Sequence, residues 1–557
     1  MFTFVHTYAQ DVFPALVKSG LWRRGDGLKL MHKPGFEPPH DFNTAAAVGS
    51  PLEKLLHELR CPFYIDRLQG GLGYTNVYPY SKALLSHYSE LLGDDFWGFQ
   101  MHEWASNFRS DETRIRELCE REGVSTGDPT ALSRLWGRVL AGELPLFLEA
   151  YPAEEWQKRV LSDGLSSFLT EAERLYTRRV FETGGLLFPA DSYYMALRTE
   201  LSAGAKRLMP EAGWQIPNLR AQIAFTRGQA KSAGVPWGIY YECWQNTNGF
   251  GFTVPYSLRS GQDEWQEDLL HKGNGSGLDF EKREHGGSSL SLLSRAWRYA
   301  YFSGASAVAE EYGVCNTFRD LNDGSLSPYG EAKKEFLRFT EAFPDLGKPF
   351  VPAAVVLSAK MEMLDINFSE SYLGHPISDP GFPLSAEAYR EFLETIEIIF
   401  GTTGKLGNMG HVLKSGGLPG VCDIVYEDSP NLSGYDYLID LTFDTAFSRG
   451  RNNVVTHGEV KSILQQLLPF TVDGGLFAAY NRFENGWYAL VMNNDGVFHD
   501  GFMPDVLLPE AAVCSELRIS PSVSDVRKAA GGGKLERDGG RYYLTLPAGE
   551  WTLLTVA

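Results

Sequence analysis

Apolar residues recur in two alternating patterns over about the first 340 positions of the chain. Short, nearly continuous apolar segments, typical of buried parallel strands, alternate with stretches whose apolar residues recur every three to four positions, as in amphipathic helices. Seven segments are predicted as strands: 2–8, 61–67, 96–104, 186–191, 207–211, 237–244 and 305–309, with a weak eighth near Leu326. The alternation predicts an α/β fold, a TIM (β/α)8 barrel over 1–345, with a helical insertion at about 111–182.

The pattern changes after a segment that contains proline and glycine, 344–349. Buried strands at 353–359, 421–426 and 435–441, together with an amphipathic helix at 385–400, predict a small doubly wound α/β domain over 350–465. Short strands separated by Gly and Asn turns then predict a C-terminal β-sandwich over 470–557. We therefore expect three folded domains, with boundaries near 345 and 465.

Composition and charge narrow the classes of function. Of the 557 residues, 43% are hydrophobic and 22% charged, as in ordinary globular proteins. The formal net charge of −19 argues against nucleic acid and anionic membranes as partners, because both would repel the chain. Six cysteines without a CxxC pair argue against a zinc module. No signal peptide is recognised, so we expect a cytoplasmic protein, or a secreted or periplasmic one whose leader was removed.

Acidic residues lie at or near the ends of several predicted strands: Asp66, Glu103, Asp191, Glu211, Glu242, Glu310 and Glu311. The carboxyl ends of barrel strands meet where active sites form. Converging carboxylates suit glycoside hydrolysis, because a protonated one assists the leaving group while an ionised one attacks the sugar or activates water. No cofactor is expected, and the isolated His6, His102 and His285 do not predict a metal site.

Three segments carry a resemblance to a known family: AQIAFTRGQAKSAGVPWGIYYECW (221–244), RYAYFSGASAVAEEYG (298–313) and LSPYGEAKKEFLRFTEAFPDLGKPFVPAAVVL (326–357). With the predicted domain order, they resemble the β-galactosidases that carry a trimerisation domain. The middle domain is similar to flavodoxin/amidotransferase-like domains, but no cysteine nucleophile follows its strand at 435–441. The resemblance implies hydrolysis of a β-linked carbohydrate, and a homo-oligomer, dimer or trimer, formed through the middle domain.

The resemblance also implies roles for particular residues. This family places an acid/base glutamate after the fourth strand and a nucleophile after the seventh. Glu311 ends the predicted seventh strand and is our nucleophile, with Glu310 as its alternative. Glu211 is our acid/base, although it ends the predicted fifth strand. The Asn-Glu pair usual in related retaining enzymes is missing, so a retaining outcome is an expectation only. If neither Glu211 nor Glu311 is catalytic, Glu103 and Glu242 are the next candidates for the catalytic pair.

Other polar and aromatic residues near strand ends are predicted to contact the substrate. They are Asp66, Arg67, His102, Glu103, Trp104, Trp214, Glu242 and Trp244. A charged pair at a strand end can instead stabilise the fold, so both interpretations stay open. Two other functions also stay open, since a fold does not fix a function: a non-catalytic carbohydrate-binding or scaffold protein on a degenerate barrel, and a barrel lyase or transferase.

Overall fold

A computed structural model describes Gly123 and residues 2–6, 12–31, 42–66, 81–102, 187–190, 197–213, 218–243, 245–246, 252–255, 280–310, 317–320, 322–362, 371–372, 375–376, 384–401, 413–472 and 475–557. Two compact units make up the chain. The first comprises Met1–Asp26, Glu211–Ser358 and Leu393–Ala557, and the second comprises Gly27–Pro210 and Ala359–Phe392. The helical insertion predicted at about 111–182 lies outside the described residues, apart from Gly123.

Eight strands pair in parallel, in two groups of four. They are β1 (Phe2–His6), β2 (Gly27–Met31), β3 (Phe63–Asp66), β4 (Phe96–His102), β5 (Leu187–Ala190), β6 (Glu211–Gly213), β7 (Gly238–Glu242) and β8 (Ala307–Glu310). The first unit has the order β1–β8–β7–β6. The second unit has the order β2–β3–β4–β5. Parallel strands joined through helices make an α/β fold, so the α/β part of the predicted fold class is confirmed.

The strand count differs from the sequence prediction in three ways. The prediction missed β2, because Lys29 interrupts its apolar run, although Lys29 is itself buried. The eighth strand near Leu326 is wrong, since Ser325–Leu326 pairs antiparallel with Phe318–Asp320. The predicted fifth strand ended at Glu211, whereas β6 begins there, because Pro210 has no N–H to give to a ladder. Along the chain, β7 is therefore the seventh parallel strand and β8 the eighth.

Three helices of the first unit border the candidate site: α1 (Leu219–Ala233), α2 (Leu290–Phe302) and α3 (Pro328–Ala342). The hydroxyl of Ser289 accepts from Leu292 N at the start of α2, and the hydroxyl of Ser327 accepts from Gly330 N at the start of α3. The remaining α-helices of the described chain are Val12–Ser19, Phe42–Ala45, Pro51–Leu59, Lys82–Leu92, Leu197–Ser202, Ala386–Phe400, Thr445–Ser448 and His457–Leu467. None of the helices in the described ranges is long and apolar enough to cross a membrane.

A second parallel sheet in the first unit consists of β9 (Ala353–Leu357), β10 (Cys422–Tyr426) and β11 (Tyr437–Leu441), in the order β10–β9–β11. All residues of β9 and β10 are buried, as expected for a sheet covered on both faces. Helix α1 packs so closely on this sheet that a Cβ added to Gly228 would lie 2.4 Å from the carbonyl oxygen of Ile424. Glycine is therefore required at the contact between α1 and β10.

Two antiparallel sheets follow in the C-terminal part of the first unit. One has the order Lys348–Pro349, Leu476–Phe483, Gly486–Asn493, Trp551–Val556, Val526–Gly531, and the other Phe470–Thr471, Val513–Ile519, Arg541–Leu546, Lys534–Asp538. Short strands complete the described structure: Gln245–Asn246, Phe252–Pro255 and Phe280–Arg283; Ser371–Tyr372 and His375–Pro376; and the hairpin Val497–Phe498 with Val506–Leu507. The β-sandwich and the boundaries near 345 and 465 stay predictions.

Candidate active site

Two glutamates of the first unit lie on the same face of neighbouring strands. Glu211 of β6 is level with Tyr240 of β7, and Gly213 of β6 is level with Glu242 at the end of β7. Laterally paired residues share a face, and residues two apart on one strand also share a face. Glu211 and Glu242 therefore point to the same side of the sheet. Both are fully buried, with 0% of their surface exposed.

Gly213 makes room for the side chain of Glu242. A Cβ added to Gly213 would lie 2.7 Å from Glu242 Cβ and 2.9 Å from Glu242 Oε2. The carboxylate of Glu242 thus leans across β6, over a position where any side chain would collide with it. Glycine in a strand often marks such a close approach. The sequence of β6 therefore determines where the carboxylate of Glu242 can lie.

The strand geometry also sets the distance between the two acids. They stand one strand apart and two residues apart along the strands, which corresponds to a Cα–Cα separation of about 8 Å. Two glutamate side chains at that separation can both reach one small ligand. Helix α1 holds β6 from behind, because the buried amide Nε2 of Gln222 donates to the backbone carbonyl of Glu211. Buried carboxylates that share one face are a common mark of a functional site.

Residues of the opposite face contact the helices. The ring of Tyr241 packs edge-on against Trp297 of α2, with ring centroids 6.3 Å apart. Its hydroxyl lies 3.1 Å from Ser288 Oγ, which in turn lies 2.9 Å from the hydroxyl of Tyr329 on α3. Burial raises the pKa of Tyr241 far above its ordinary value, so this phenol stays protonated. The Tyr241 face is therefore the helix side of the sheet.

Glu310 lies on that helix side. It is level with Tyr241 in the pairing of β8 with β7. Its carboxylate forms an ion pair with the ammonium group of Lys333 on α3, and Lys333 also donates to the hydroxyl of Thr317. The side chains of the pair are only 5% and 7% exposed. The carboxylate of Glu310 thus joins β8 to α3 and faces away from the side that Glu211 and Glu242 share.

Of the eleven predicted site residues, the structure describes the side chains of Glu211, Glu242 and Glu310. Asp66 and His102 end β3 and β4 in the second unit, where only their backbone is described. Arg67, Glu103, Trp104, Trp214, Trp244 and Glu311 lie outside the described residues. The structure therefore brings Glu211 together with Glu242, and their roles stay predictions.

Two residues that matter for this geometry were not singled out from the sequence. Gly213 stands in the segment EAGW, where a glycine next to a predicted strand was the available signal. Lys333 lies among the buried residues of α3, and a lysine between apolar residues at helical spacing is a signal of a buried ion pair. Over the described part of the chain, no group of three His, Cys, Asp or Glu side chains could hold a metal ion.

Comparison with known proteins gives only a coarse likeness. No family model and no curated protein matches the sequence. Among solved structures, a β-galactosidase from Bacillus circulans sp. alkalophilus is similar over 100% of this chain and 99% of its own, at 10% identity and a TM-score of 0.46. A catalytic mutant of a GH42 β-galactosidase from G. stearothermophilus is similar over 100% and 98%, at 9% identity and a TM-score of 0.45.

A rhamnosidase from Novosphingobium sp. PP1Y is similar over 86% of this chain and 48% of its own, at 11% identity and a TM-score of 0.33. All three similarities combine low identity with TM-scores under one half. Likeness at this level does not assign an activity to the chain.

Proposed function

We propose that the protein is a (β/α)8-barrel glycoside hydrolase that cleaves a β-linked sugar with two carboxylates. One observation carries the proposal: Glu211 and Glu242, both fully buried, share one face of neighbouring parallel strands. An oxocarbenium-like transition state needs one ionised carboxylate near the anomeric carbon and one carboxylic acid near the leaving oxygen. Two carboxylates that point toward one ligand can divide these tasks, since like charges in a buried site do not both ionise readily.

Glu242 is our proposed nucleophile. It ends the seventh parallel strand of the chain once β2 is counted, which is the nucleophile position that the resemblance implies. The sequence alone favours Glu311, with Glu310 as its alternative. The ion pair with Lys333 engages the carboxylate of Glu310 on the helix side, so we no longer favour Glu310. Glu311 lies outside the described residues and remains a candidate for the site.

The proposed acid/base is Glu211, because its carboxylate is on the face of Glu242. Glu103 competes for this role, since it directly follows β4, the fourth parallel strand, where the resemblance implies the acid/base. A galactosidase-like specificity, a retaining outcome, the three predicted domains and a dimer or trimer remain parts of the proposal. If light scattering shows a strict monomer at micromolar concentration, the proposed dimer or trimer is wrong.

Variant kinetics on aryl β-glycosides test the proposal. Glu242→Gln should lower kcat on the order of a thousandfold or more, which is about 4 kcal/mol of barrier. Azide should rescue Glu242→Ala and give a glycosyl azide of inverted configuration if Glu242 is the nucleophile. The acid/base is tested with Glu211→Ala and Glu103→Ala on a substrate with an activated leaving group. The variant that lacks the true acid/base should form, with azide, a glycosyl azide of retained configuration.

Gly213→Ala adds a positional test with both glutamates in place. The new methyl group would collide with Glu242 Cβ and Oε2, so kcat should fall about tenfold to a hundredfold. Gly458→Ala is the matched control, because its added Cβ meets nothing within 4 Å. A wild-type protein that binds sugars without cleaving any glycoside would favour the non-catalytic alternative. Near-normal rates in Glu242→Gln would show that the nucleophile lies elsewhere.

A further inference from the structure

We propose that His499 and Asp505, in the C-terminal hairpin region, are positioning residues that hold Glu242 through the backbone at Gly287–Ser289 and Cys243. This inference rests on the proposed role of Glu242 in glycoside cleavage. It extends the candidate site to a segment about 250 residues further along the chain. Each step of the connection is a contact within the first unit.

The first step joins Ser288 to the residue after Glu242. The backbone N–H of Ser288 donates to the carbonyl oxygen of Cys243 at 2.8 Å. Residues 244–287 run between these two positions, so this bond closes the base of the long connection from β7 to α2. The hydroxyl of Ser288 is also within hydrogen-bond distance of the hydroxyls of Tyr241 and Tyr329. Ser288 is thus fastened to the end of β7 from two sides.

The second step fastens the residues around Ser288 to the C-terminal region. His499 Nε2 lies 2.7 Å from the carbonyl oxygen of Gly287 and must be the donor, since a carbonyl only accepts. Asp505 Oδ2 accepts from Ser289 Oγ at 2.9 Å and from the backbone N–H of Ser291 at 2.8 Å. Ser291 stands in the first turn of α2, where unpaired N–H groups and the helix dipole favour a carboxylate.

The third step makes the two side chains one unit. His499 Nδ1 lies 3.0 Å from Asp505 Oδ1, and the two side chains are only 5% and 12% exposed. One ring nitrogen faces a carbonyl and the other a carboxylate, so the arrangement suits a doubly protonated, charged imidazole. A buried charge pair with further hydrogen bonds has one preferred geometry, because moving either member leaves a buried charge unpaired. The pair is therefore suited to fix the position of Gly287–Ser289.

The competing interpretation is that the pair only adds stability. A matched control separates the two. Asn481 Nδ2 donates to the carbonyl oxygen of Phe302, and this bond joins the same C-terminal region to the far end of α2. Asn481→Ala therefore removes a buried tie to the same helix without touching the residues around Ser288. If the pair only adds stability, Asn481→Ala and Asp505→Asn should show the same kcat and the same Cys243 alkylation rate when both are measured at the same interval below their unfolding temperatures.

Alkylation of individual cysteines, measured by mass spectrometry on the full chain, supplies a readout that does not depend on activity. Cys243 and Cys422 are buried and Cys514 is exposed. Asp505→Asn and His499→Ala should raise the native-state alkylation rate of Cys243 about tenfold, because losing a charged hydrogen bond lets the loop base open. Cys422 should stay protected and Cys514 should react at its wild-type rate. Asn481→Ala should leave Cys243 protected.

Kinetics supply the second readout. Asp505→Asn and His499→Ala should lower kcat about tenfold or more, with a smaller change in KM, because Glu242 is misplaced and not removed. His499→Gln should recover part of kcat, since its amide can still donate to Gly287. Equal kcat and equal Cys243 alkylation in Asp505→Asn and Asn481→Ala would overturn the inference. If Cys243 opens selectively in a protein without glycosidase activity, the connection to β7 stands and the proposed function falls.

Discussion

The ion pair with Lys333 holds the carboxylate of Glu310 on the helix side of β8. We predict that Glu310→Gln lowers the free energy of unfolding by about 3 to 5 kcal/mol, because Lys333 would stay buried without its carboxylate. The rate per folded molecule should change little. Urea unfolding measures the free energy of unfolding. The value of kcat, normalised to the folded fraction of the same sample, measures the rate per folded molecule.

A second variant makes this prediction sharper. Glu310→Leu combined with Lys333→Met removes both charges and keeps apolar volume, so it should recover most of the lost stability. A large loss of kcat in the double variant, with stability restored, would contradict the structural role of Glu310 and return it to the list of catalytic candidates.

The pair of His499 and Asp505 predicts how stability depends on pH. Burial lowers the pKa of His499, but Asp505 and the Gly287 carbonyl outweigh it and hold this pKa above its ordinary value. Burial raises the pKa of Asp505, but His499 and the Ser291 N–H outweigh it and hold this pKa below its ordinary value. Among the described residues, Asp500 acts on His499 and Arg295 acts on Asp505.

The sign of each contribution follows from these shifts. The contribution of His499 is complete below its unfolded pKa of about 6.5 and is lost as the pH rises through its folded value. The contribution of Asp505 is complete above its unfolded pKa of about 3.9 and is lost as the pH falls through its folded value. Unfolding at several pH values should show that His499→Gln costs most stability between about pH 4 and 6.5. An equal cost at pH 9 would contradict this.

The site also shows which residue positions a sequence can predict. Acids at strand ends were visible, and Glu211 and Glu242 were both named from the sequence. The facing of Glu310 could not be predicted, because every residue of β8 is buried and an alternating pattern is absent. The orientation of the Glu310 side chain depends on Lys333 of α3, which lies 23 residues further along the chain. The glycine in EAGW was visible beside a predicted strand, but its contact with Glu242 could not be predicted, because Glu242 lies on a neighbouring strand.

At the scale of elements, the contact between α1 and β10 predicts a strong coupling. Arg227 Nε donates to Asp423 Oδ1 at 2.6 Å, and the hydroxyl of Tyr435 donates to Asp423 Oδ2 at 2.8 Å. Burial lowers the pKa of Arg227, but Asp423 outweighs it and raises this pKa above the ordinary value. Asp423→Asn should therefore cost about 3 to 5 kcal/mol of unfolding free energy.

Asp436→Asn is the control for this prediction, because Asp436 is exposed and stands immediately before β11 of the same sheet. It should change stability by less than about 0.5 kcal/mol. Chemical denaturation followed by far-UV circular dichroism measures both variants. Equal stabilities of Asp423→Asn and Asp436→Asn would show that the buried ion pair does not hold α1 on the sheet.

Element types were predictable where the apolar pattern was strong. The helix α2 and the strand β8 follow directly from the helical spacing of Leu290, Leu293 and Trp297 and from the apolar run after Gly304. Strand β2 was missed because a buried lysine has the sequence signature of an exposed one. This single omission shifted the count of all later strands, and with it the residue that the resemblance assigns as nucleophile.

At the scale of the whole molecule, the first unit joins sequence segments that the predicted domains would separate. The segments Glu211–Ser358 and Leu393–Ala557 belong to one unit, and the contacts Arg227–Asp423 and Asp505–Ser289 join them. We predict that this unit unfolds in one cooperative step. Cys243 and Cys422 should become reactive over the same range of urea concentration. Reaction of Cys422 at clearly lower urea would favour independently folding domains.

Arg220 gives this arrangement a consequence for synthesis on the ribosome. Its guanidinium group is buried, lies 4.1 Å from the ring centroid of Phe477, and donates to the carbonyl oxygens of Ile399, Lys414, Gly416 and Leu418. Burial lowers its pKa to about 10, so it is still a cation at neutral pH. Those carbonyls follow Arg220 by 179 to 198 residues.

At typical elongation rates of about 5 to 20 residues per second, the ribosome needs on the order of 10 to 40 seconds to reach them. During that interval the carbonyl groups that accept from the cation in the folded unit have not yet been synthesised. Helix α1 cannot take its final place, and β6 with Glu211 stays without the helix that supports it. We therefore expect α1 to take its place on β10, and β6 with Glu211 to gain its support, only after the middle segment has emerged.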